Sequence, residues 1–244
     1  MKTVASIFLS RLRAGFLRAG AAPPLVIGAG LLLWFLLSFL DREVKALALL
    51  LPPGIAGPAR LFAPVLVEET GKFLAILAFA RLSGAARRSS PGTPSGAGLG
   101  IVAIIIFSAI ENLAYQRAFP GGDIFQRLLW SEPVHLVTAL AMAAGLSGSP
   151  VYADGTGTGR RSRRPGPDSG PLEVGLALTF ALAWHFAANL LADAGPGTGM
   201  VAFVALVNLA MIVSLSRLYF DRAMRVPAAT GPGKTRRPGG SLHG

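Results

Sequence analysis

Apolar runs near twenty residues long recur along this chain, and four of them carry ionisable side chains in their interior. The runs lie at 23–40, 61–82, 99–119, 128–147, 172–192 and 199–220. That is the length an α-helix needs to cross roughly 30 Å of hydrocarbon. Inside a bilayer every backbone polar group must be satisfied within its own segment, which makes the helix the spanning element for such runs. The expected fold is therefore all-α, a polytopic transmembrane helix bundle of about six spans. The interruptions are VEETGKF at 67–73, FSAIENLAY at 107–115, EPVHL at 132–136 and WHFAAN at 184–189. They put Glu68, Glu69, Lys72, Glu111, His135 and His185 where a lipid-facing helix has no such groups. A central Asp, Lys or Arg costs about 2.5–3.5 kcal/mol on insertion scales, so a chain that carries several uses them on one another or on a ligand.

Composition supports a membrane setting. Of 244 residues 52% are hydrophobic and only 14% charged, where a soluble domain has about a quarter charged, and the mean hydropathy is +0.55. The net charge of +11 does not point to nucleic acid, because no basic patch is interleaved with aromatics. The bases lie mostly in loops and tails, where they orient spans and meet anionic lipid. With no cysteine, disulfides, thiolate metal sites and a cysteine nucleophile are excluded. The first apolar run follows Lys2, Arg11, Arg13 and Arg18 but leads into DREVK at 41–45, so it reads as an uncleaved span rather than a signal peptide.

The chain divides into a basic cytoplasmic N-terminal segment at 1–22, a multi-span domain at 23–222 and a disordered basic tail at 223–244, which holds His243. A flexible Gly-, Pro-, Ser- and Arg-rich loop is expected at 148–171. Between the first two spans, the stretch from Asp41 to Arg60 is broken by Pro52 and Pro53. It is too short to cross and is assigned to the interface. With the N-terminus inside, seventeen of the 23 Lys and Arg fall in inner segments, five in outer segments, and Lys72 within a span. That bias predicts an N-in, C-in protein of the plasma membrane. At 1.5 Å per residue, Glu68, Glu69, Glu111, His135 and His185 then all lie about 10–12 Å below the outer surface. Four antiparallel spans thus bring their polar groups to one level, and one convergent site is expected in the outer half of the bundle.

Glu68 and Lys72 are four residues apart on one helix face, with Glu69 beside them. The plainer account of Lys72 is an internal ion pair that lowers the insertion cost, which leaves the second glutamate unexplained. Two neighbouring carboxylates in low dielectric resist carrying two charges at once, a condition that suits general acid–base chemistry. Asn112 is readable as an interhelical hydrogen-bonding residue, and each histidine singly as a satisfied buried partner. Ser108 and Thr138 are expected to bond back to their own helices, and Trp34, Trp130 and Tyr219 to anchor at the interface. Arg127 is either an anchor or a partner for Glu111, while Glu132 and Asp193 are placed near water without a special role.

The ordered motifs resemble the PrsW family of intramembrane proteases, part of a superfamily with CAAX prenyl proteases, bacteriocin-processing membrane proteins and the scaffold subunit of gamma-secretase. The family's Glu-Glu-x-x-Lys is matched by Glu68, Glu69 and Lys72, and its Phe-x-x-x-Glu-Asn by Phe107, Glu111 and Asn112. Its single-histidine helix is matched by His135, and its His-x-x-x-Asn by His185 and Asn189. All fall in family order across residues 61–192. The resemblance implies a glutamate-dependent endopeptidase that needs no cofactor and cuts a single-span membrane protein near the outer face, with an anti-sigma factor as a family-type substrate. Compatible roles are Glu68 or Glu69 as general base and Glu111 sharing the water or protonating the leaving amine. His185, supported by Asn189, would polarise the carbonyl, and His135 would orient water or bind the oxyanion. Lys72 would keep its neighbour ionised. Two alternatives stand: a zinc-dependent membrane metalloprotease using these carboxylates and imidazoles, and a proton-coupled transporter.

Overall fold

The computed structural model describes residues 22–87, 96–120, 124–147, 169–195 and 197–224. Among these the chain is all-helical: α1 (Ala22–Ala48), α2 (Pro53–Arg87), α3 (Gly96–Ala118), α4 (Ile124–Ser147), α5 (Ser169–Asp193) and α6 (Thr198–Met224). The basic segment before residue 22, the stretch at 148–168 and the tail beyond 224 lie outside the described residues, and the expectations for them are left there.

Five helices are long and apolar enough to cross a membrane. The exception is α2, which at 35 residues is the longest, but no 18-residue stretch of it holds fewer than three charged side chains. Leu25, Phe35, Leu113, Phe203 and Leu206 are all more than half exposed. Apolar surface on that scale suits lipid rather than water. The chain is a multi-pass helical membrane protein in outline.

The stretch from Asp41 to Arg60 departs from expectation. It is not a separate interfacial segment, because α1 runs on to Ala48 and α2 already starts at Pro53. Good helix formers continue α1, helped by the Lys45–Asp41 pair at 2.8 Å. Pro53 takes the first helical position, where its missing N–H would have had no partner. Span 2 therefore begins eight residues earlier than the apolar run suggested.

Packing centres on α4, whose apolar window is 67% buried, against 17% for α1, α5 and α6. It packs on α2, α3, α5 and α6, while α2 packs on α1, α3, α4 and α5. Close approach of α2 and α3 depends on Gly100, where a Cβ would sit 2.8 Å from the Ile76 Cα. At α4–α5 a Cβ on Gly145 would lie 2.7 Å from that of Ala177. Small residues at such crossings let helix backbones come together, which is how bundles pack without a hydrophobic drive between helices. Polar ties add to this. Arg222 of α6 donates to the Ala144 carbonyl at 3.0 Å and to Glu173 at 2.8 Å, joining α4, α5 and α6. Nearer the middle, the Trp184 indole N–H donates to Asn208 Oδ1 at 3.0 Å. Gly195, at a φ of 67°, ends α5 in the left-handed conformation that favours glycine.

Candidate functional site

Glu68, Glu69 and Lys72 come from adjoining faces of α2, Glu111 from α3, His135 from α4 and His185 from α5. The structure brings all six into contact. Lys72 and Glu69 are fully buried. The Lys72 ammonium lies 2.5 Å from Glu68 Oε1, 2.7 Å from Glu69 Oε1 and 2.6 Å from His135 Nδ1. An ammonium has three donors and no lone pair, so its hydrogens match these three neighbours. Burying such a charge is tolerable only when it is paired and hydrogen-bonded on this scale.

The lysine also orients His135. Because the ammonium can only donate, a neutral His135 that accepts from it at Nδ1 carries its proton on Nε2, 3.1 Å from Glu111 Oε2, while the same Nδ1 also lies 3.1 Å from Glu68 Oε1. His185 Nδ1 lies 2.6 Å from Glu69 Oε1. A carboxylate cannot donate, so this nitrogen is the protonated one, and Nε2 of a neutral His185 is left as an acceptor. In this tautomer the free Nε2 can accept a hydrogen bond but has none to donate. The two imidazoles meet edge to face at 5.3 Å, and Phe107 packs on His135 in the same manner at 5.8 Å.

A cavity of about 400 Å³ reaches this cluster from the end of the bundle where α1, α3 and α5 finish. Glu68, Glu111, His135 and His185 line it, while Glu69 and Lys72 do not. The adjacent glutamates are thereby sorted: Glu68 faces the cavity and Glu69 stands behind it, fixing His185. Arg127, near the start of α4, lies with its Nη2 3.5 Å from Glu111 Oε1 and its guanidinium 3.6 Å from the Tyr115 ring centroid. The reach toward Glu111 is as the sequence suggested. Arg127 Nε is buried without a hydrogen-bond partner.

The two asparagines stand apart from the cluster. Asn112 donates to Glu132 Oε1 at 2.9 Å, which ties α3 to α4. Glu132 therefore has a partner and a role that the sequence reading denied it. The signal was present, since Glu132 precedes His135 by three residues and shares its helix face. Asn189 lines the cavity, half-buried and one turn from His185, and among the described residues it makes no hydrogen bond, so it does not brace that histidine.

Other placements also differ from expectation. Trp34 and Trp130 line the cavity instead of anchoring at an interface, and Tyr219 is buried in the main core cluster. Thr138 does bond back to its own helix, at 3.1 Å to the His135 carbonyl, whereas the buried Ser108 hydroxyl has no partner. Asn208, buried within the apolar stretch at 200–213 of α6, was the sequence's unread sign of the tie to Trp184.

Comparison with protein-family models, curated proteins and solved structures finds nothing that matches this chain.

Proposed function

We propose that this protein is a glutamate-dependent intramembrane endopeptidase, as the resemblance of its motifs to the PrsW family implies. The observation that carries this reading is a set of acid–base groups from four helices meeting at the floor of one cavity that opens at the end of the bundle. Peptide hydrolysis needs an activated water, a donor for the leaving amine and a stabilised oxyanion. Glu68 takes the water's proton, with His185 Nε2 accepting a second hydrogen bond from the same water and Glu69 holding that imidazole in register. The proton Glu68 has taken then passes to the leaving amine through Glu111, whose carboxylate the His135 Nε2–H orients at 3.1 Å. The Arg127 guanidinium, with its buried Nε unspent, stabilises the oxyanion. Lys72 balances the two buried carboxylates.

The Lys and Arg bias favours N-in, C-in insertion in the plasma membrane, so that the cavity faces outward. The substrate is a single-span membrane protein cut near the outer face, an anti-sigma factor being the family-type candidate.

One observation favours a second reading. Ligand atoms of Glu68, Glu69, His135 and His185 lie within 4.8 Å of one another, and two carboxylates with two imidazoles suit zinc in type and number. The fit fails at the centre, because Lys72 Nζ already touches Glu68, Glu69 and His135. A metal would need Lys72 to withdraw, so the metal-free mechanism comes first.

Comparing membrane-protein fragments from cells carrying wild-type or Glu68→Gln protein tests the function. The reading requires at least one fragment of a single-span protein that appears only with the wild type. Identical fragment sets would overturn it.

A further inference from the structure

Charged residues near the ends of the helices mark two levels. On α2, Arg60 and Arg81 are both exposed and stand twenty-one residues apart, about 31 Å of helix axis. On α5, Glu173 and Asp193 are twenty residues apart, about 30 Å. Both spacings match a hydrocarbon core of roughly 30 Å, so Arg60 and Asp193, at the end where the cavity opens, mark its edge. The turn from α1 to α2 lies beyond that edge. Pro53 stands seven residues of α2 above Arg60, about 10 Å, whereas the headgroup layer on one side is about 5–8 Å thick. Residues 46–59 hold no polar side chain, yet Leu47, Leu49, Leu50 and Ile55 are all more than half exposed, Leu50 at 81%. Lipid does not cover them. Lowering the turn into hydrocarbon would take Arg42, Lys45 and Arg60 in with it, and cations at that depth are expensive.

We infer that this apolar turn is a docking surface for the substrate, which it holds by a leucine- or valine-rich stretch just outside the substrate's own span. The inference takes the nature of the partner from the peptidase reading and adds a contact outside both the hydrocarbon and the cavity. Area and position choose this occupant. With Leu51, five apolar side chains are exposed at the turn, and together they offer roughly 300–600 Å². A lasting interface takes about 800 Å² from each partner, while transient encounters need less. The turn is therefore too small to hold two copies of the chain together, and it suits a substrate that must leave. It is also continuous with the cavity. Asp41 and Lys45, on the part of α1 directly below it, line the cavity and are paired at 2.8 Å. Pro53 and Glu68 are fifteen residues apart on α2, about 22 Å. The docked stretch thus lies about seven residues from the cut bond if the chain between is extended, or about fifteen if it is helical.

The probes are two synthetic peptides with a span of leucine and alanine. Each has a lysine at the outer end of the span, then a Ser-Gly spacer long enough to reach the turn. One ends in Val-Leu-Val-Leu-Leu and the other in Ser-Gly-Ser-Gly-Ser. Binding to the purified full chain in detergent is read by fluorescence anisotropy of a dye on the peptide, and cleavage by mass spectrometry. The apolar flank should bind about tenfold more tightly or better, with the difference in cleavage falling on KM rather than kcat. Leu47→Ser combined with Leu50→Ser should erase the preference, since both side chains are exposed and their loss leaves the bundle packed. Leu206→Ala, on the exposed face of α6, should keep it. A polarity-sensitive dye on Leu50→Cys in nanodiscs should report water without peptide and an apolar setting once the apolar-flank peptide is added. Equal binding of the two peptides, no binding of either, or a preference that survives the paired serine substitutions would overturn the inference. So would an apolar setting at position 50 before peptide is added, which would mean that lipid or a second copy covers the turn. Flank-dependent binding without cleavage would uphold the docking and count against the peptidase reading. Cleavage indifferent to the flank would do the reverse.

Discussion

At the scale of single residues, Lys72 has the most demanding position. It is fully buried and reaches two carboxylates and an imidazole. Removing one partner of a buried ion pair leaves uncompensated charge and typically costs about 3–5 kcal/mol. Lys72→Met should therefore lower the unfolding temperature in detergent sharply. Glu69→Gln should lower it far less, because Lys72 keeps Glu68 and His135. Adding Glu69→Gln to Lys72→Met should recover part of the loss by removing one unpaired carboxylate. A Lys72→Met protein as stable as wild type would mean that the pairing carries no energetic weight. The ionisable groups were legible in the sequence because each stands out against an apolar run. Their division of labour was not. Spacing puts Glu68 and Glu69 on adjoining faces of one helix but cannot say which neighbour lies behind each. Only the packing of α5 places His185 against Glu69.

At the scale of helices, the site's precision depends on how closely α2 and α3 approach, since they carry all three acidic members of the cluster and its lysine. Gly100 permits that approach through contact with the Ile76 backbone, one turn of α2 from Lys72. A Gly100→Val side chain meets backbone that cannot swing aside, so α2 and α3 must separate. Displacements near 1 Å can cost about a hundredfold in rate. Gly100→Val should accordingly lose at least an order of magnitude of cleavage while the protein remains helical by circular dichroism. Gly28→Val is the control, since nothing lies within 4 Å of a Cβ there, and its activity should match wild type. Equal activity of the two variants would remove the close crossing from the account. Helix number followed from apolar run length. Helix ends did not, because α1 continues through polar residues that are good helix formers, and α2 starts at Pro53, a proline that suits the first helical position. The aromatic lining was misread for a related reason: a tryptophan near the end of an apolar run looks the same from sequence whether it faces headgroups or a cavity.

At the scale of the whole molecule, the account ties orientation to function: a cavity that opens outward cuts substrates near the outer face. Since the chain has no native cysteine, single cysteines report side cleanly. Phe119→Cys, beside the cavity mouth, should react with an impermeant thiol reagent in intact cells, and Leu82→Cys, at the far end of α2, only after the cells are opened. The reverse pattern would turn the cavity inward and shift the cleavage site to the other leaflet. The central claim is chemical, and cleavage of a single-span peptide by purified protein in the presence of a strong chelator tests it most directly. The wild type should cut, and Glu68→Gln and Glu111→Gln should each fall by about 10²–10⁴-fold, as expected when a positioned acid or base is removed. Undiminished cutting by both variants, or wild-type activity that vanishes with the chelator and returns with zinc, would contradict it.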